Sequence, residues 1–213
     1  MNPVLALDLS TPRGVIAVTC GAAVLFEAAF VSERSHNARL FAPLAEALAV
    51  IGERRARMVV GTGPGSYTGV RIAIAAAQGV AVSRGWTVAG LPTLACAPGC
   101  RVLGDARRGF FYIAAVSAAS EVGSLELVDE RTAQAAVSAG GDWVTFDARA
   151  PLGLDRVRLA QPDAVALARI AEGFNDTEME RRAARPLEPL YLQDAFITTA
   201  RKAGKLVPGV PEA

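Results

Sequence analysis

Residues 61–69 read GTGPGSYTG, directly after two valines that look like the end of a buried strand. Glycines at 61, 63, 65 and 69 are interleaved with Thr62, Pro64, Ser66, Tyr67 and Thr68, and Arg71 and a long apolar stretch follow. A glycine turn between strand and helix is where backbone N–H groups and the helix dipole can hold a phosphate. Residue types exclude two common versions of that chemistry. A Walker loop needs a Lys that reaches the phosphates, and this loop has none. A dinucleotide loop needs a third glycine and an acidic ribose ligand about twenty residues on. Position 66 is Ser, and no Asp or Glu occurs between Arg54 and Gly104. What remains is a tight turn offering backbone N–H groups at a helix start, with Ser66 or Thr68 as the cap. A purely structural turn fits the same residues.

Other reactive side chains are sparse. Asp8 and Asp105 each stand at the end of a strand-like run and are the best candidates for acids facing a ligand, although Asp also suits turns for its own hydrogen-bonding reasons. His36 is the single histidine. Its neighbour four positions on is Leu40, so there is no metal-binding HxxxH pair, and Ser35 beside it does not make a nucleophile–base pair. Cys20, Cys96 and Cys100 are odd in number and lack CxxC spacing, the pattern of free thiols in the cytoplasm. No metal site is expected.

The elements that must position these residues follow from periodicity. VLALDL (4–9), VIAVTC (15–20) and VLFEAAFV (24–31) read as a meander of three strands. Leu40, Phe41, Leu44, Leu48 and Ile51 recur at helical spacing before Gly52, with Pro43 inside the run. MVVG (58–61) and TVAGL (87–91) are strands around a helix over 70–84 built mostly of Ala, Ile, Val and Gly, and Pro92 starts a short helix. RVLGD (101–105) and FFYIAAV (110–116) form a second hairpin. Beyond it come a strand at LELVD, a helix near 131–138, a strand at WVTF, a helix over 162–172 and a strand at PLYL. This order gives an α/β class. DLSTPRGVIAV and DARRGFFYIAAV share a plan of strand, Asp, Arg-Gly turn and apolar strand, which hints at two related lobes.

Composition sets the outer limits. A chain of 213 residues, 52% hydrophobic and 20% charged, can bury a sizeable core. A net charge of +1 gives no electrostatic case for gripping nucleic acid unaided. MNPVLALDLST lacks a basic leader, so no signal peptide is expected, and the longest apolar run, 72–82, is too short to span a bilayer.

Taken together, LALDLST, SHNARLFAPL, VVGTGPGSYTGVRIAIAAAQGVA and DARRGFFY resemble the TsaB (YeaZ) family, accessory subunits of the bacterial machinery that makes threonylcarbamoyladenosine in tRNA. The likeness is clear over about 4–116 and weak beyond, apart from PLYLQ. It implies the fold shared by actin, sugar kinases and heat-shock ATPases, with two duplicated lobes of which the second is reduced: 1–100, and 101–185, with a segment near 186–200 packing back on the first. In that fold such hairpins supply phosphate-binding loops, which makes Asp8, Ser10, Thr11, Gly63, Gly65, Ser66 and Asp105 the nucleotide- or phosphate-facing set. The resemblance further implies a catalytically degenerate subunit, not itself an enzyme, that pairs with a catalytic TsaD-type sister and a TsaE-type ATPase. It would form a homodimer when alone and meet tRNA only through the complex, in the cytoplasm and without a membrane. No cofactor of its own is implied, with room for ATP or ADP at a partner interface. The partner surface would comprise His36, Leu40, Leu44, Leu48, Thr68, Arg71, Ala73, Ala76, Ala77 and Val80. Phe110 and Gln193 depart from the family, which often has Glu and Arg there. An active kinase of the same fold would need a magnesium-binding set of acids, and the acid-free stretch argues against it. A peptidase would need a nucleophile–base pair, which one histidine supports poorly.

Overall fold

The computed structural model describes residues 2–31 and 36–192, the side chains of 36–38 excepted. β1 (Val4–Asp8) is buried at every position, as expected of a strand covered on both faces. It pairs antiparallel with β2 (Arg13–Cys20), which pairs antiparallel with β3 (Ala23–Val31). After α1 (His36–Ile51), β4 (Arg57–Gly61) returns parallel to β1. After α2 (Tyr67–Arg84), β5 (Thr87–Leu91) returns parallel to β4. The order is β3-β2-β1-β4-β5. Alternation along the strands sorts the core. Leu5, Leu7, Met58 and Val60 lie with α1 and α2, whereas Val4, Ala6 and Val59 belong to the opposite face.

A second sheet repeats this plan. β6 (Arg101–Arg107), β7 (Phe110–Ala115) and β8 (Glu126–Asp129) form an antiparallel meander. α3 (Glu130–Ser138) leads to β9 (Trp143–Thr145), parallel to β6, and β10 (Val157–Leu159) runs parallel to β9. The order β10-β9-β6-β7-β8 is the first sheet's order with each strand replaced by its counterpart. The Asp-turn-Arg-Gly echo in the sequence therefore marks the same hairpin in both lobes, β1–β2 and β6–β7. The second lobe is the smaller: β9 and β10 have three residues each where β4 and β5 have five.

Two differences from the sequence reading concern the end of the chain. α4 (Ala164–Glu172) and α5 (Asp176–Ala183) do not extend the second lobe. α4 covers the open face of the first sheet, burying Ala164, Leu167, Ala168 and Ala171 against Val4, Ala6 and Val59, and α5 packs on β5. The 101–185 extent assigned to the second lobe thus takes in helices that belong physically to the first. An apolar stripe says that a helix is covered, not by which sheet. PLYL joins no ladder. Leu190 N–H instead donates one bond to the Thr62 carbonyl at 2.9 Å. Strand β10 and helix α5, which buries only Met179, were not foreseen. No helix among the described residues is long and apolar enough to cross a membrane.

Candidate functional site

The glycine loop is built by its contacts with the first hairpin. Ser66 caps α2, its hydroxyl accepting from Gly69 N at 3.1 Å, and Gly85 ends the helix in the left-handed region. Ser66 N–H donates to the Ser10 carbonyl at 2.6 Å. A Cβ at Gly65 would overlap that same carbonyl, and a Cβ at Gly69 would overlap the Leu9 carbonyl. The glycines are there because another backbone lies against them. Gly63, at φ +88, is fixed from the other side, donating to Thr93 Oγ1 at 3.1 Å and accepting from Thr93 N at 2.8 Å.

Asp8 does not face the cleft. It is fully buried and accepts from Ser10 N at 2.7 Å and from the Thr93 hydroxyl at 2.5 Å. Its side chain lies so close over Gly61 that a Cβ there would overlap the carboxylate. Burial pushes its pKa up, against the lowering effect of the bonds from Ser10 and Thr93. This corrects the ligand-facing expectation, because a carboxylate placed under the turn has its donors inside the protein. Thr93, which the sequence marks only as part of the short helix that Pro92 starts, is a site residue that the sequence did not single out. Its hydroxyl bridges Asp8 and Gly63.

Between the lobes lies a cleft of about 620 Å³. Ser10, Thr11, Gly65 and Ser66 line one wall and Asp105 the other, whereas Asp8 and Gly63 do not reach it. Thr11 closes a small turn on Arg13, donating to its carbonyl and accepting from its N–H. Ser10 Oγ is buried without a hydrogen-bond partner of good geometry. Across the cleft, Asp105 accepts from Arg107 N at 2.7 Å and its own N–H donates to Asp147 at 2.8 Å. Burial raises the pKa of Asp147, also unforeseen in the sequence, and that of Tyr112 beside it. Pro189, Leu190, Tyr191 and Leu192 run along the cleft, and Tyr191 meets Tyr67 with ring centroids 5.7 Å apart. Among the described residues no group of three His, Cys, Asp or Glu side chains is placed to hold a metal ion. All three cysteines are thiols, and burial pushes Cys96 up to about 12.

The second candidate is the outer face of α1 and α2. A groove of about 570 Å³ runs between them, lined by Phe41, Leu44, Ile72, Ala75, Ala76, Gly79, Val80 and Ser83. Phe41 is 59% exposed and Val82, on the same helix as Gly79, is 85% exposed. The expected partner surface is only partly here. Thr68 and Arg71 are exposed, and Leu48 and Ala76 are half-buried. Leu40, Ala73 and Ala77 are completely buried in the chain's own core, so no partner reaches them. Helix phase explains the correction: residues 70, 73, 74, 77, 80 and 81 share one stripe against the sheet. Leu44 and Val80 belong to that core and only floor the groove. The His36 side chain lies outside the described residues, as does Gln193. Phe110 is 47% exposed at the second hairpin.

Two duplicated lobes, each a five-stranded mixed sheet flanked by helices, define the class of actin, sugar kinases and heat-shock ATPases. The family model for TsaD, tRNA N6-adenosine threonylcarbamoyltransferase, matches residues 30–137, just over half of the 213. The chain belongs to that family, on its YeaZ (TsaB)-like side. A crystal structure of an uncharacterized protein with similarity to peptidase YEAZ from Pseudomonas aeruginosa is 26% identical. It covers 91% of this chain and 100% of its own, with a TM-score of 0.68. YeaZ from Pseudomonas aeruginosa, at 23% identity, covers 90% and 100% with a TM-score of 0.64 and shares the fold. No curated protein matches the chain.

Proposed function

We propose that this chain is a non-catalytic partner subunit. It docks through the α1–α2 face onto a catalytic TsaD-type sister and, with a TsaE-type ATPase, supports formation of threonylcarbamoyladenosine in tRNA. A second copy takes the same face when the sister is absent. tRNA is met through the assembly, since a net charge of +1 gives this chain little grip on a phosphate backbone. The site of action is the cytoplasm, which suits three thiols. The observation that carries the reading is the apolar groove between the two helices. Ala75, Ala76 and Gly79 leave room for a helix to come close, and Phe41 stands exposed beside them. Small residues on a helix face permit close backbone approach, and aromatic side chains are enriched at protein interfaces.

Gly79 supplies the test. A Cβ there meets nothing within 4 Å, so the fold tolerates a side chain at this position. Gly79→Arg and Ala75→Arg should melt like the parent protein yet fail to co-purify with the sister subunit, with association weakened by about 2 kcal/mol or more. Ala77→Arg, in the core, should instead unfold the chain. Retention of the complex by both surface variants would overturn the assignment.

A further inference from the structure

The chain passes from the first lobe to the second through 92–100 and returns through 160–163. These two crossings touch: Cys96 Sγ lies 3.4 Å from both the backbone N and the carbonyl oxygen of Asp163. Connections joined at one place act as a hinge, and lobes on a hinge move against each other unless something else ties them. A third crossing follows α5. Leu187 packs into the core of the first lobe, so close to β5 that a Cβ at Gly90 would lie 2.9 Å from its Cδ1. Leu190 N–H donates to the Thr62 carbonyl, and Leu192 packs against the core of the second lobe. Between them Tyr191 rests on Tyr67 at the start of α2. We infer that residues 187–192 are a strap that sets how far the cleft between the lobes opens, and that it lets go as one unit while both lobes stay folded.

Pro189, Leu190, Tyr191 and Leu192 line the cleft, whereas no residue of 92–100 or 160–163 does. The tie therefore lies on the cleft and the hinge lies off it. Its two apolar anchors belong to different lobes, so widening the cleft must draw one of them out of its core. The hold is light. Leu187 and Leu192 are only half-buried, and Glu188 and Tyr191 are exposed. Pro189 has no N–H to give, which leaves the bond from Leu190 as the backbone donation to the Thr62 carbonyl. Segments held by few buried contacts and few backbone bonds open locally, ahead of the global transition. Gly90, on the edge strand β5, makes the room that the first anchor needs. None of residues 187–192 lines the groove between α1 and α2, so release of the strap is separable from partner docking.

Native-state hydrogen exchange on the full chain tests the strap. The Leu190 amide should exchange about 100-fold or more faster than the amides of β1, at a rate that low denaturant leaves unchanged. Leu192→Ala loosens only the second-lobe end, yet should speed Leu190 exchange by about tenfold, and Leu187→Ala should do the same from the other end. Gly79→Ala, whose methyl enters open space, should leave that rate as in the parent. Exchange of Leu190 only with the global transition, or an unchanged rate in Leu192→Ala, would overturn the strap. The lobe angle is read by electron–electron distance measurement between nitroxides at Val24→Cys on β3 and Leu127→Cys on β8, both exposed. Cys20 and Cys100 are replaced by Ser, and Cys96, which burial pushes up to about 12, stays unlabelled. The parent should give one narrow distribution. Leu187→Asp and Leu192→Asp should broaden it toward longer distances by about 3 Å or more, with circular dichroism showing that the lobes remain folded. Should an Asp variant not fold, the matching Ala variant takes its place in the same measurement. A distribution as narrow as the parent's in folded variants of both anchors would defeat the inference.

Discussion

At the scale of single residues, the buried network of Asp8, Ser10, Thr93 and Gly63 has a pH signature. Asp8 has its pKa raised by burial, so the folded state holds its proton more tightly than the unfolded chain does. Stability must then fall as pH rises from the unfolded carboxylate value through the raised folded one, and be greatest below it. Asp8→Asn keeps an acceptor for Ser10 N–H and removes the titration. The melting temperature of the parent should drop relative to that of Asp8→Asn as pH goes from about 4 to about 8. Parallel curves would mean that Asp8 is ionised at no cost in place. The sequence showed this Asp as a strand-end acid but could not show its donors, because Thr93 is 85 residues away.

At the scale of elements, α2 serves two surfaces at once. Its stripe of Val70, Ala73, Ile74, Ala77, Val80 and Ala81 seals the sheet, while Ala75, Gln78, Gly79 and Val82 face outward. The inward stripe is core, and the outward face is the one proposed for docking. Two substitutions read the two sides. Ile74→Ala should lower stability by about 2–5 kcal/mol through the cavity it leaves. Gly79→Ala should raise stability by about 0.5–1 kcal/mol, because the methyl enters open space and glycine is a poor helix former. Denaturant unfolding of both variants gives the values, and a loss at Gly79→Ala would place that residue against the protein's own structure. A composition rich in Ala and Gly showed that something comes close to this helix. The phase, and hence which residues do so, came from the position of the sheet.

At the scale of the whole molecule, the first lobe is discontinuous in sequence. α4 arrives after the entire second sheet, yet it is the cover for Val4, Ala6, Val15 and Val59. The segment after α5 continues the return, with Leu187 packed in the first lobe's core and Leu192 against the second's. A fragment of residues 1–100 therefore lacks one layer and leaves an apolar sheet face open to water. It should show no cooperative melting transition by circular dichroism and should aggregate on a sizing column, whereas 1–192 should melt as one unit. A soluble, cooperatively folding 1–100 would show that α4 is dispensable.

What the sequence determined by itself was local and periodic: the strands of the first lobe, the helices of the first half, the paired hairpins, and the absence of Walker and dinucleotide chemistry from the loop. These depend on residue type and spacing within a few positions, where sterics and burial act directly. Tertiary structure alone decided the rest. It turned Asp8 inward under Thr93, set Leu40, Ala73 and Ala77 in the core, and laid α4 on the first sheet. It also seated 61–69 on the carbonyls of Leu9 and Ser10. Each of these is a contact between segments distant in the chain. Which donor meets which acceptor, and which sheet an apolar stripe covers, is fixed only when the layers close on one another.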